Sequence, residues 1–311
     1  MVRGSPRCFQ GTPNQWCACS IIAGLLRLMK SRRVKMSLEQ YYRLPFSPAW
    51  KQEYINGCLV ETRRQVIVHA TISVAPRLAP NLAPLRPASD ADEKNLLPCF
   101  EAAFKAAFEF CDYTKQQFAK SARECLHHFF HGPFHCWLPA SRVALGPPES
   151  ADAGKPIGAA LLLQQDEGWA LLDMIFVTPA WQRHHLATVL AAAALTGLSE
   201  LGGYRTLVSR YHLGNEPSRA WHRHFGFTDE PDLHLAQLQL RAAMHELARQ
   251  QELGTLTPQL ERELTQQRDH WQRETDRLEA LFDQGRREEA DPWRKWRRKI
   301  KEVDSQSIEV D

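Results

Sequence analysis

The sequence predicts an α/β (α+β) protein: a sheet flanked by helices, preceded by a β-hairpin region and followed by a charged helical hairpin. Three observations carry this. Apolar runs of strand length, such as PIGAALLLQQ and WALLDMIFV, alternate with segments whose apolar residues recur at helical spacing. Asn56-Gly57 stands between two apolar-rich segments, the strongest short hairpin signal. After Asp232 the chain reads as two helices too polar to hold a core of their own.

Taken in order, WKQEYINGCLVETRRQVIVHATISV predicts a two- or three-stranded meander, its last segment rich in alternating β-branched residues. Four prolines in APRLAPNLAPLRP mark a linker or an edge. Ser89-Asp90 opens a helix whose apolar face runs through Leu96, Leu97, Phe100, Phe104, Ala107, Phe108 and Cys111. A second helix spans 114–130. Strands follow at 135–145, 156–165 and 169–177, joined by the turns ESADAGKP and DEG. A helix over 182–201, a Gly202-Gly203 break, a strand over 204–213 and a short helix ending at Gly226 complete the middle of the chain. Beyond it, Gly254 breaks one helix and Thr257-Pro258 caps the next. That last helix places Leu260, Leu264, Trp271, Leu278 and Phe282 on one stripe, which packs on the main domain or on a second copy in a homodimer. WRKWRRKIKE closes the chain as a basic, solvated end.

Composition bounds the function. The 311 residues suffice for one large domain or two modest ones. Of 39 basic residues, seven (Arg3, Arg7, Arg27, Lys30, Arg32, Arg33 and Lys35) fall in 1–35, which holds no acid. The rest carries 32 basic against 36 acidic residues, so general nucleic-acid binding is not implied. Residues 1–35 lack any helix or strand period and read as a disordered leader, or as the product of a start upstream of Met36, dispensable for folding. The expected divisions are 1–35, a hairpin and Pro-rich region over 36–82, a main domain over 83–231 and the helical hairpin with its tail over 232–311. No apolar run reaches the roughly 20 residues of a membrane helix. The eight cysteines form no CxxC pair. With no secretory signal, they read as reduced thiols of a cytoplasmic protein.

VTPAWQRHHLATVL, residues 177–190, joins a strand to a helix through a tight turn. Such a turn is a natural anion site, because unpaired N–H groups and the helix dipole point at whatever sits there. The stretch 177–187 resembles the V-x-P-x-x-[QR]-x-x-G-x-[GA] motif of the GNAT superfamily of acetyl-CoA-dependent N-acetyltransferases. NEPSRAWHRHFGF, residues 215–227, resembles that family's second motif, and a strand separates the two. The resemblance covers somewhat under half the chain. It implies a central mixed, mostly antiparallel sheet and acetyl transfer from acetyl-CoA to a primary amine on a small molecule or peptide, by direct attack in a ternary complex.

The resemblance further implies that Gln182, Arg183, His184, His185, Leu186, Ala187 and Thr188 hold the pyrophosphate. The backbone of Ile175, Phe176 and Val177 would pair with the pantetheine arm, with Asn215 and Ser218 nearby. His185 stands where the family has glycine. If that glycine supplies positive φ, histidine adds strain; a helical φ would make it tolerable. His222 stands where the family has the tyrosine that protonates the leaving thiolate, and imidazole can donate a proton near neutral pH. Asp173, the lone carboxylate of LLDMIFV, is the candidate base, or else a residue facing solvent or bonded to an arginine. Arg210 and Tyr211 are further candidates for substrate contact.

Two other readings compete. The chain could be a degenerate relative that binds a partner through its C-terminal helices without catalysis. CLHHFFHGPFHC, residues 125–136, places His127 and His131 one helical turn apart, as zinc ligands can be. Its spacing fits no standard zinc pattern and its phenylalanines read as the end of a core helix, so no metal is expected.

Overall fold

The structure, a computed structural model, describes residues 32–78, 80–132, 137–165 and 168–291. Two sheets form. The small one has the order β1-β3-β2, from Arg32–Lys35, Trp50–Ile55 and Cys58–Arg63. Asn56 at φ 51° and Gly57 at φ 77° give β2 and β3 the left-handed turn that matches strand twist. The large sheet has seven strands in the order β10-β4-β9-β8-β7-β6-β5. These are β4 (Ile67–Ser73), β5 (Leu85–Pro87), β6 (Arg142–Leu145), β7 (Pro156–Gln164), β8 (Trp169–Val177), β9 (Thr206–His212) and β10 (Thr228–Glu230). All neighbours are antiparallel except β8 and β9. The mixed, mostly antiparallel sheet is therefore as expected.

The helices are α1 (Leu38–Tyr42), α2 (Asp92–Phe104), α3 (Lys115–His131), α4 (Leu186–Leu201), α5 (Glu216–Phe225), α6 (Leu233–Glu252), α7 (Pro258–Asp283) and α8 (Arg287–Ala290). β7 is buried from Ile157 to Leu163, the signature of a strand covered on both faces. Alternation divides it: Ala160 and Leu162 pack with α4, Leu161 and Leu163 with the phenylalanines of α2 and α3.

Several expectations change. β4 leaves the meander to pair with β9, and its alternate residues Val68, Ala70 and Ile72 join the core on one face of the sheet. The division expected at residue 82 therefore cuts through the large sheet. Arg32–Lys35, expected in the leader, pair with Cys58–Glu61 of β3. The helix expected to open at Ser89-Asp90 begins at Asp92, whose carboxylate turns back to accept from Ser89 N–H at 2.8 Å and from Arg86 at 2.5 Å. That helix ends at Phe104, and a 3-10 turn holds Phe108–Phe110. The strand expected over 135–145 is Arg142–Leu145, with residues 133–136 outside the described residues. The leader 1–31 and the basic tail also lie outside them.

Thr257 caps α7, accepting from Leu260 N–H at 3.2 Å. α7 packs along α6, and α6 delivers Leu235 and Leu238 to the main core. Leu264 and Leu278 are buried within the chain, whereas Phe282 at the end of the stripe is exposed. Among the described residues no helix is long and apolar enough to cross a membrane.

Two predictions follow from this packing. Leu278→Asp puts a charge at a site 1% exposed and should cost about 2–4 kcal/mol. Phe282→Asp on the same stripe should stay within about 0.5 kcal/mol of the parent; denaturant titration of both reads the difference. A chain beginning at Met36 lacks β1, and should melt a few degrees below one beginning at Arg32; equal melting points would show that β1 contributes nothing.

Candidate active site

β8 and β9 pair from Trp169↔Thr206 to Leu172↔Ser209 and then part. On its other edge β8 pairs with β7, but the register jumps from Leu162↔Leu172 to Leu161↔Met174. Asp173 is thus the extra residue of a bulge, which bends the strand and increases its twist. The next residue on β9 is Arg210, whose Nη2 donates to Asp173 Oδ1 at 3.0 Å. Both side chains are almost wholly buried. An ion pair sits where main-chain pairing ends, and beyond it the strands enclose a cleft of about 430 Å³.

The cleft collects Asp173, Ile175, Phe176, Val177, Gln182, Ala187, Asn215, Ser218 and His222 from the residues singled out in the sequence. Arg183, His184 and His185 are exposed on the turn between Gln182 and Ala187, while Leu186 is buried. Gln182 Nε2 donates to the Val177 carbonyl at 3.0 Å, and Thr188 Oγ1 accepts from Trp221 Nε1 at 3.3 Å. The N–H groups of residues 183–188 make no backbone hydrogen bond of normal length and angle among the described residues. They form a row of donors at the head of α4. The turn reaches that arrangement with two non-glycine residues at positive φ, Arg183 at 64° and His185 at 61°. The helical φ that would make His185 tolerable is not adopted; the residue lies in the left-handed region at a cost of about 1 kcal/mol. Pro179–Trp181 forms a 3-10 turn, so the helix starts at Leu186 and not at 182.

His222 is buried in the cleft wall and held by two hydrogen bonds. The Ser218 carbonyl, 2.7 Å from Nδ1, only accepts, so Nδ1 carries the hydrogen. Nε2 then accepts from the Ser209 hydroxyl at 2.8 Å. Burial lowers the His222 pKa to about 4. Burial and these two contacts favour the neutral ring. Asp173 is bonded to arginine, the alternative left open by its sequence. Tyr211 donates to Asp229 at 2.7 Å, and burial raises its pKa. Asn215 Oδ1 caps α5 by accepting from Ser218 N–H at 3.1 Å.

Ser209, His212 and Glu109 are among the polar cleft residues that were not foreseen. His212 is buried, and desolvation followed by Arg63 and Arg210 lowers its pKa to about 3. Glu109 lies in the 3-10 turn; its Oε1 accepts from Asn215 Nδ2 at 2.7 Å. Its Oε2 is buried with no hydrogen-bond partner among the described residues. Arg63 fixes this turn by donating to the carbonyl oxygens of Phe108 and Glu109, at 3.3 and 2.5 Å, while pairing with Asp112 at 2.9 Å. Gly214 lets the Phe108 ring close down, since a Cβ there would lie 2.3 Å from it. A lone acid among aromatics, FEF, was as visible a signal as Asp173 in its apolar strand.

Residues 102–227 match the model of the acetyltransferase (GNAT) family, the segment that holds both motifs. No curated protein matches the sequence. Among solved structures, a GCN5-related N-acetyltransferase from Sphaerobacter thermophilus is 17% identical over 53% of this chain and 48% of its own, with a TM-score of 0.37. The match thus spans about half of that protein. The aminoglycoside 6'-N-acetyltransferase AAC(6')-IG from Acinetobacter haemolyticus is 20% identical over 48% of this chain and 93% of its own, with a TM-score of 0.34. AAC(6')-Iy in complex with the bisubstrate analogue CoA-S-monomethyl-acetylneamine is 18% identical over 47% and 90%, with a TM-score of 0.32.

The two buried histidines predict an acid-side instability. Their folded pKa values lie below the ordinary 6.5, so the unfolded chain binds more protons as pH falls. Their contribution is complete above pH 6.5 and is lost on acidification toward pH 4, at up to about 1.4 kcal/mol per pH unit for each. His222→Gln should flatten that slope in denaturant titrations between pH 7 and 4; an unchanged slope would mean that His222 titrates normally.

Proposed function

We propose that the chain is an N-acetyltransferase that moves an acetyl group from acetyl-CoA to a primary amine by direct attack in a ternary complex. The observation that carries this reading is the parting of β8 from β9 beside a turn whose N–H groups from 183 to 188 make no backbone hydrogen bond of normal geometry among the described residues. A pyrophosphate needs converging N–H donors with little side-chain bulk in the way, and the small Ala187 meets that need. Arg183 adds a positive charge on the same turn. The β8 edge beyond Asp173, unpaired toward β9, would take the amide groups of the pantetheine arm along Ile175–Val177. Asn215 and Ser218 line the same cleft.

Acetyl-CoA supplies the thioester; the protein must supply a free amine. An alkyl ammonium has a pKa near 10, so a proton has to leave before attack. Of the cleft carboxylates, Asp173 is matched by the guanidinium of Arg210, whereas Glu109 has the neutral amide of Asn215 as its side-chain partner. We assign the ammonium contact and first proton acceptance to Glu109, with Asp173 holding Arg210 and the bulge. The nitrogen loses a second proton as the amide forms, and that proton is available to the departing thiolate. No imidazolium at His222 is required; the neutral ring orients the Ser209 hydroxyl.

A second reading, a binding protein without catalysis that works through its C-terminal helices, is favoured by the strained His185 and the neutral His222. Calorimetry with acetyl-CoA separates the two. The wild type should bind one equivalent. Ala187→Glu should weaken binding at least tenfold, since charge and bulk beside the phosphates cost about 1–4 kcal/mol. His185→Gly should keep or improve affinity by removing bulk, and weaker binding would mean that the imidazole touches phosphate. Glu109→Gln should bind acetyl-CoA normally and lose turnover with amines. Absence of acetyl-CoA binding in the wild type would leave the non-catalytic reading standing.

A further inference from the structure

We propose that Glu93, His127 and His131 form a binding site for a divalent transition-metal ion, with Zn²⁺ the first candidate, on the side of the domain where α2 meets α3. Glu93 lies in the first turn of α2, and the two histidines occupy the last turns of α3. Glu93 Oε1 is 3.0 Å from His127 Nδ1, and its Oε2 is 2.9 Å from His131 Nε2. The two imidazole rings are 5.2 Å apart, and the three ligand atoms lie within 4.8 Å of one another.

The backbone beneath these groups is fixed. Phe129 and Phe130, between the histidines in sequence, are buried on the opposite side of α3 and hold its orientation. The adjoining turn of α2 is held by the buried Asp92 through Arg86 and Ser89. The ligating side chains themselves are open to solvent, His127 at 67%, His131 at 44% and Glu93 at 24%. They can close on an ion without disturbing the core, and an open position remains for water.

Donor chemistry selects the ion. Two imidazole nitrogens and a carboxylate oxygen suit Zn²⁺, Ni²⁺ and Cu²⁺, whereas Mg²⁺ and Ca²⁺ prefer oxygen alone. In the metal-free chain each facing nitrogen donates its hydrogen to Glu93. On binding, that hydrogen moves to the opposite ring nitrogen or to solvent, and the freed lone pair takes the metal. The ion would replace two hydrogen bonds by a clasp between α2 and α3, the helices whose inner faces give Phe100, Phe104 and Cys125 to the cleft. This site stands independently of the proposed activity.

The test uses the full chain stripped with a chelator and then titrated with Zn²⁺ alone, followed by calorimetry and melting temperature. The wild type should take up one more equivalent than Glu93→Gln or His131→Ala, and its melting temperature should rise with Zn²⁺. In the variants that rise should be lost or need at least tenfold more metal. Mg²⁺ should leave both readouts unchanged. All other cysteines and histidines remain in every protein, so uptake elsewhere cancels in the comparison. Should a variant fold poorly, His127→Asn gives the same comparison with a smaller change. Equal uptake by wild type and variants, or an equal response to Mg²⁺, would overturn the site and leave an ordinary cluster of hydrogen bonds.

Discussion

The ion pair between Asp173 and Arg210 is the constraint on which the rest of the site depends. Leu172 and Ser209 make the last main-chain match between β8 and β9, and the next residue on each strand is charged. Two adjacent parallel strands would ordinarily continue to pair, because each unpaired buried N–H or C=O is costly. Here the bulge takes Asp173 out of the β7 ladder, and side-chain pairing replaces the main-chain bond that would have come next. Breaking a buried pair by deleting one partner typically costs about 3–5 kcal/mol, since the other charge stays behind. Closing the cleft by further strand pairing would place these two side chains in the way.

The turn after β8 shows a related trade. A strand that has parted from its neighbour must still deliver the chain to the head of α4, and it does so through Arg183 and His185 at positive φ. Glycine would relieve both positions. The strain is already present in the free chain, so it lowers stability without by itself lowering affinity for a ligand; only the bulk of the exposed imidazole could do that. The burial of Leu186 and the start of the helix immediately after His185 over-determine the conformation and keep the two residues where they are.

What was legible in the sequence follows from range. Periodicity located the central strands and helices, because burial on one face or two is written into neighbouring residues: LLDMIFV as a covered strand, Asn56-Gly57 as its own turn. The two motifs located the cleft walls through contiguous residues. What needed the fold was every relation across distance. β4 looked like a third strand of the hairpin until β9 claimed it. Asp173 and Arg210 are 37 residues apart, His222 and Ser209 are 13 apart, and Glu93 reaches His127 across 34. His222 illustrates the consequence: its position suggested a proton donor, but burial and the direction of its two hydrogen bonds make it neutral.

The charges around the cleft explain what kind of acceptor suits the proposed reaction. Asp173 is matched by Arg210 and Asp112 by Arg63. His212 and His222 are held neutral by desolvation. Glu109 has one oxygen spent on Asn215 and the other buried without a partner among the described residues. Its carboxylate is the group into which a cation would fit, whereas an anion would meet it without an opposing charge of its own to gain. The walls near it, Phe100, Phe104 and Phe110, are apolar, so a bound ammonium would be desolvated and its interaction with Glu109 strengthened accordingly. The same surroundings favour the uncharged amine once the proton has moved. In the proposed reaction, binding and activation of the acceptor would therefore draw on one residue, in the turn that Arg63 and Gly214 hold against the end of β9.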